Sequence, residues 1–477
     1  MTIPSDDTIR GNARGREASL SADPVNPAAT RSTHLASLAA AAGLASIAAA
    51  CTAGSDEVRP PDDDVYFPSG IALTPDGRHL GVLSANSDLR FDSGTLALID
   101  VDRVRGLVGD WLDTGLVPEG RDCEIDRSVG YTLHCGSEEV IGEGATVRIG
   151  NFATEVAFQE LASGQARAFV AVRGDPSITW IDLDTETGRP LCGDGSDHHR
   201  CEDEHRLRRV RGDDELDPLP GEPFGLFVDS GNEYAVATHL STGSVTLVDA
   251  PASGEPPRVS DVAEGLFQPG RGGLRGAVGV AGRRPGEPSA RVYVTSRSEP
   301  VVRSLSVVRG GAFAELAVGH RIDLRDLGRP ADDARGIAFN ADGSRGYVVN
   351  RSPPALQILD TSQGPGGHPR NEPIGSVGVC REGSTARVAD TGRGERVYVA
   401  CFRDHEVWVV NPATQAVDTI IPVGRGPHGL AISEDDALLF VTGFLDDTIS
   451  VVDLEEGSPT EHRVVLRLGW GGRRGTP

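Results

Sequence analysis

The chain contains no lysine: its 46 basic residues are all arginine, set against 70 Asp and Glu for a formal net charge of -24. So acidic a surface works against nucleic acid or an anionic membrane as partner, because phosphate binding needs a positive field. The missing lysine reads as compositional bias rather than chemistry. No C-x-x-C, C-x-x-C-H or H-E-x-x-H occurs, which removes the usual spacings for zinc, redox, covalent haem and metalloprotease sites. Long apolar runs are also missing. The longest, Leu35 to Cys51, is Ala-rich and too short for a confident membrane span. What is abundant is turn chemistry: 60 Gly and 31 Pro in 477 residues favour short strands over long helices.

The Leu35–Cys51 stretch follows a polar segment with Arg10, Arg14 and Arg16, and suits the apolar region of a signal peptide. Its end, Ala48-Ala49-Ala50-Cys51, resembles a bacterial lipobox, in which the cysteine carries lipid. Simple secretion is the alternative. Ala48 departs from the Leu preferred there, and the leading polar segment is long. The expected organisation is a disordered leader over 1–51, an acidic linker over 52–64 containing "PDDDV", a folded body over 65–470 and a flexible tail over 471–477. Seven cysteines are an odd number. With Cys51 set aside for lipid, proximity pairs Cys123 with Cys135, Cys192 with Cys201 and Cys380 with Cys401, one of fifteen possible pairings. Such bridges imply an oxidising compartment, periplasmic or at the cell surface.

The stretch "PHGLAISEDDALLFVTGFLDDTISVVDL" from Pro427 has six counterparts, starting near residues 68, 153, 223, 274, 334 and 386. Most spacings are about 40–60 residues, the range of propeller blades. Each copy has a short run of small apolar residues, a Gly/Asp turn, a Val- and Tyr-rich run, and a third run. In all but the fourth, the third run ends in Asp or Asn: Asp100, Asp182, Asp249, Asp360, Asn411 and Asp453. A fourth, variable run leads onward. Four β-runs make one antiparallel sheet, and one such sheet cannot bury both faces alone. The reading is therefore an all-β chain: a seven-bladed β-propeller of four-stranded antiparallel blades. The run Arg463 to Leu468 is expected to close blade seven against Val65 and Tyr66.

"YVTSRS" from Tyr293, "YVVNRS" from Tyr347, "YVACFRD" from Tyr398 and "FVTGF" from Phe440 resemble the signature of the YVTN/YncE-like propeller repeat family. The resemblance covers about residues 65–470 and is sharpest in the last three copies. It implies an exported propeller. The wider propeller class includes lactonases, d1-haem domains and quinoprotein subunits, and fold alone does not choose among them.

Propellers usually bind at one mouth of the axial channel. Aligning the copies on Gly70, Glu155, Gly225, Gly276, Gly336, Arg387 and Gly429 places Ser69, Thr154, Phe224, Arg275, Arg335, Ala386 and His428 around that mouth. Guanidiniums and a histidine there suit a carboxylate or phosphate. Arg335 has Asp332 and Asp333 nearby as competing partners. The adjoining loops carry His239, Arg297, Arg351, Asp404, His405, Asp446 and Asp447, which could serve as acid, base or metal ligand. "DHHRCEDEH" places His198, His199 and His205 close together, a weak metal candidate that reads first as a solvated loop. No Ser-His-Asp set can be assigned. The favoured reading is a monomeric, lipid-anchored module binding a small anion or a protein at its channel mouth. No cofactor is expected beyond a possible metal ion. The alternative is a propeller enzyme: a metal-dependent lactonase-type hydrolase or a cofactor-dependent oxidoreductase.

Overall fold

The computed structural model describes residues 58–126, 131–192, 200–210, 216–270, 273–288, 290–310, 314–326, 328–433, 435 and 437–470. Cys51, the leader and the tail after residue 470 lie outside them. The inner strands of the seven blades are Pro68–Leu73, Ala153–Glu160, Pro223–Asp229, Ala277–Gly282, Asp332–Phe339, Gly383–Thr391 and Pro427–Ile432. Each heads an antiparallel sheet whose strands follow in chain order. Consecutive inner strands pack side by side, and the seventh returns to the first, so the ring is a closed seven-bladed propeller.

Local chemistry explains the repeat. In blade 1 the Thr74 hydroxyl bonds Asp76 Oδ1 (2.6 Å) and accepts from His79 N (3.0 Å). Gly77 takes φ 68° in the turn between them. Blade 7 repeats the device with Ser433 and Asp435 (2.6 Å). The acidic residue ending the third strand holds the next turn: Asp360 Oδ1 accepts from Ser362 N (2.9 Å), and Asn411 Oδ1 from Ala413 N (3.0 Å). In blade 2 that role belongs to Asp184, which accepts from Glu186 N (3.0 Å), while Asp182 pairs with the fully buried Arg167 (2.6 Å). The second strands bury Phe169, Tyr293, Tyr347, Tyr398 and Phe440 between blades.

Two features depart from the sequence reading. Residues Val101–Thr114, after the third strand of blade 1, form an α-helix. Asp100 caps it by accepting from Arg103 N, Gly115 ends it at φ 63°, and Val101, Val104, Leu107, Val108 and Trp111 bury one face. The helix lies against the outermost strand of blade 7, Arg463–Leu468, and Arg105 holds Asp435 with two bonds (2.7 and 2.9 Å). The open edge of that strand is taken by Leu133–Cys135, running parallel to it. Val65 and Tyr66 do not pair there. Tyr66 N instead donates to Ser84 Oγ (3.2 Å), and its hydroxyl donates to Ser93 O (3.0 Å). An insertion from blade 1 thus clamps blade 7, covering an edge that would otherwise be free to pair. The disulfides are Cys123–Cys135, Cys192–Cys201 and Cys380–Cys401. The first holds the clamping hairpin, and all three fit an oxidising compartment.

Candidate functional site: the axial cavity

Each inner strand breaks register with its neighbour near its start, and pairing resumes at Ile71, Glu155, Leu226, Val280, Ile337, Ala386 and Leu430. The break leaves backbone carbonyls without a ladder partner, and such groups need another donor. The neighbouring blade supplies one. Ser69 Oγ donates to Ala153 O (2.8 Å), Thr154 Oγ1 to Phe224 O (2.7 Å), Thr238 Oγ1 to Val278 O (2.6 Å) and Thr295 Oγ1 to Arg335 O (2.6 Å). Ser384 Oγ reaches His428 O and Thr442 Oγ1 reaches Ser69 O, each at 3.2 Å. A hydroxyl therefore ties six of the seven junctions. Between blades 5 and 6 the Arg351 guanidinium takes its place, donating from Nε to Gly383 O (2.9 Å).

Register also aligns the blades at the axis. One position reads Gly70, Glu155, Gly225, Gly279, Gly336, Thr385 and Gly429. Two residues onward it reads Ala72, Ala157, Phe227, Ala281, Ala338, Arg387 and Ala431. The small residues match the crowding of seven strands. Glycine is needed where the next backbone presses in: a Cβ on Gly279 would lie 2.2 Å from Arg335 O. Glu155, Phe227 and Arg387 break this pattern, and the two charged residues meet. Arg387 Nη2 lies 3.7 Å from Glu155 Oε1, although blades 2 and 6 are not neighbours.

Both residues line an axial cavity of about 90 Å³, together with Phe224, Arg335, Arg351 and His428. That is room for several waters or a small anion. Arg335 pairs with Asp333, Nε to Oδ1 2.8 Å. Burial lowers the proton affinity of the Arg335 guanidinium, and Asp333 opposes the effect. Arg351 is pushed down to about 10, first by burial and then by the nearby Arg335. His428 falls to about 4 because burial disfavours its charged form, with Arg351 and Arg335 adding repulsion. Burial drives Glu155 the other way, up to about 7, with Arg387 only partly opposing it. Glu155 keeps about a third of its side-chain surface accessible, and it lines the axial cavity. Three guanidiniums, one of them paired with Asp333, thus face a single lining carboxylate, Glu155, and a neutral imidazole. The cavity has a surplus of positive charge and hydrogen-bond donors.

The sequence-derived ring is partly assembled here. Phe224, Arg335, Arg351, Arg387 and His428 share the cavity, and Ser69 ties the ring at the junction of blades 1 and 2. Arg275 does not join them. Val278 occupies the blade 4 position, because the strand aligns on Gly279 and not on Gly276, three residues earlier. Arg275 lines a separate surface pocket with Ser241 and Thr242. In blade 6 the aligned residue is Thr385, and Arg387 lies two residues further in. Ala386 accordingly resumes pairing rather than ringing the mouth. Arg297 is close enough to Arg335 and Arg351 to repel them. His239 is fully buried in blade 3 on Thr246 (Nε2 to Oγ1 2.7 Å), and His405 Nδ1 accepts from Gly426 N (3.1 Å). His198 and His199 lie outside the described residues. His205 is buried against the Trp180 ring, with Nδ1 2.9 Å from Trp180 O. Among the described residues no three His, Cys, Asp or Glu side chains group as metal ligands. Glu155 is the cavity residue the sequence reading passed over as a candidate. The signal for it was an acid at a position where five blades carry glycine.

No protein-family model and no curated protein matches the chain. Solved structures similar to it include a β-propeller domain. The periplasmic gluconolactonase PpgL of Pseudomonas aeruginosa is 17% identical, with 76% of this chain and 86% of that one covered at a TM-score of 0.50. The Cps50 (Swd1) β-propeller domain of Myceliophteria thermophila is 9% identical, covering 81% and 96% at 0.49. Hydrazine synthase of Kuenenia stuttgartiensis is 14% identical, covering 83% and 84% at 0.42. Identities this low speak to the fold alone.

Proposed function

We propose that this chain is an exported, YVTN-like propeller, held to the envelope by lipid on Cys51, that binds a small carboxylate- or phosphate-bearing anion in its axial cavity. The observation that supports the reading is the convergence of Arg335, Arg351, Arg387 and His428 on one axial cavity. Arginine forks suit both groups, and burial strengthens the attraction. Recognition would use a preformed ring rather than a moving loop.

Calorimetric titration of the protein from Ser55 onward with sulfate, phosphate and gluconate tests this. Arg387→Ala is expected to weaken binding about 10- to 100-fold, the worth of one charge-assisted bond. Equal affinity in wild type and Arg387→Ala would remove the cavity from consideration.

A second reading, hydrolysis of a small anionic lactone, is favoured by one feature. A carboxyl near 7 can take a proton from water at neutral pH. Turnover of gluconolactone above the uncatalysed rate, abolished in Glu155→Gln, would support it.

A further inference from the structure

We propose that Glu155 is the built-in competitor for the anion site: its carboxylate faces Arg387 until an incoming anion displaces it, and the displacement is completed by uptake of one proton on Glu155. This rests on the anion-binding reading above.

The geometry carries the inference. Glu155 is the one carboxylate among the described residues lining the cavity. It stands where five of the other six blades hold glycine, so its carboxyl projects from a position built for no side chain. Arg387 is already oriented for it. Arg387 Nη1 donates to Ala386 O (3.1 Å) and Thr385 Oγ1 (3.4 Å), which leaves Nη2 turned toward Glu155. An anion held among the converging guanidiniums draws on Arg387 together with the remaining donors of Arg335 and Arg351, whose Nε atoms are already held by Asp333 and Gly383 O. Two anions cannot share one guanidinium in so small a space without strong repulsion. Protonation of Glu155 removes the repulsion and converts the carboxyl into a hydrogen-bond donor toward the new anion.

The charged and titratable groups around Glu155 come from three blades. Blade 6 contributes Arg387, blade 5 contributes Arg335 with Asp333 and Arg351, and blade 7 contributes His428, while Arg297 and Glu382 act on Arg335 and Arg351 from outside the cavity lining. Blades 3 and 4 present only apolar or glycine surface there: Phe224, Gly225, Leu226, Val278, Gly279 and Val280. Carboxyl protonation is already accessible near neutrality, because burial raises Glu155 to about 7. Of the remaining groups only His428 could take up a proton instead.

The test is calorimetric titration with sulfate and with gluconate, which stay ionised over the range used, from about pH 6 to about pH 8.5. Each titration is run in two buffers of different ionisation enthalpy. Wild type is expected to take up close to one proton per anion at the alkaline end, with affinity falling about tenfold per pH unit above 7. Glu155→Gln, which keeps the shape and removes the charge, is expected to bind with no proton uptake, a flat pH profile and higher affinity at about pH 8. His428→Gln is expected to keep the wild-type slope. Uptake that persists in Glu155→Gln, or vanishes in His428→Gln, would overturn the inference. Binding by wild type without proton uptake would overturn it too, while leaving the anion site standing. Absence of binding in both proteins would overturn the site and the inference together. Should Glu155→Gln fail to fold, the wild-type and His428→Gln titrations still decide.

Discussion

Gly225→Ala is expected to destabilise the protein by about 3 kcal/mol or more, although it adds a single methyl group. The added Cβ would sit 2.2 Å from Val278 O and 3.0 Å from Thr238 Oγ1. Neither atom can withdraw cheaply. Val278 O is held by that hydroxyl at 2.6 Å, and Gly225 N donates to the same hydroxyl at 2.9 Å. Moving any member opens the junction between blades 3 and 4, and in a closed ring such a shift cannot be absorbed at a free end. Gly106→Ala is the internal control. Gly106 lies within the helix Val101–Thr114 and has nothing within 4 Å of its would-be Cβ, so Ala there is expected to stabilise by about 0.5–1 kcal/mol. Urea unfolding of the two variants should move the midpoint in opposite directions. Midpoints within a few tenths of a kcal/mol of each other would mean that inner-strand packing tolerates a methyl group and that the glycines are incidental.

The same glycines explain how far the sequence could be read. Seven copies were visible because crowding at the axis, turn geometry and the capping acid each impose a residue type at a fixed offset. The axial residues could be read wherever one glycine marked the alignment, as at Gly70, Gly225, Gly336 and Gly429. Blade 4 offers two candidates three residues apart, Gly276 and Gly279, and only the strand register distinguishes them. Blade 6 has no glycine at the position, so Arg387 could not be told from Thr385. The helix Val101–Thr114 was obscured by Gly106 and Gly109, and its apolar face is satisfied by blade 7, more than 300 residues away in sequence. The same distance hid the clamp: nothing local to Leu133–Cys135 names Arg463–Leu468 as its partner. Glu155 was seen only as a poor match to a pattern. Its meaning lies in what it faces across the channel.

Acidification from about pH 7 to about pH 4 is expected to cost roughly 3 kcal/mol of stability through His239 alone. The histidine is fully buried in blade 3, and burial pulls it from 6.5 to about 4, with the carbonyls of Pro220 and Gly221 partly opposing. The folded state therefore holds it neutral while the unfolded chain protonates. The stability it contributes is fully present above about 6.5 and is lost as pH falls toward 4, at about 1.4 kcal/mol per unit. His428 adds a limb of the same sign, reduced because it is less completely shielded. Glu155 contributes the opposite slope. Raised to about 7 from 4.5, it favours the folded state at low pH and loses that advantage as pH rises from about 4.5 to about 7. The three together place the stability maximum near about pH 6.5, with a steep acid limb and a shallow alkaline one. Urea midpoints measured at unit steps of pH should trace this shape. His239→Gln keeps a polar group able to reach Thr246 Oγ1, so it should flatten the acid limb, whereas Glu155→Gln should steepen that limb between about pH 4.5 and about pH 7 and remove the fall near pH 7. An acid limb unchanged in His239→Gln would place the acid sensitivity in the surface carboxylate–guanidinium pairs instead, which weaken as their carboxylates take up protons.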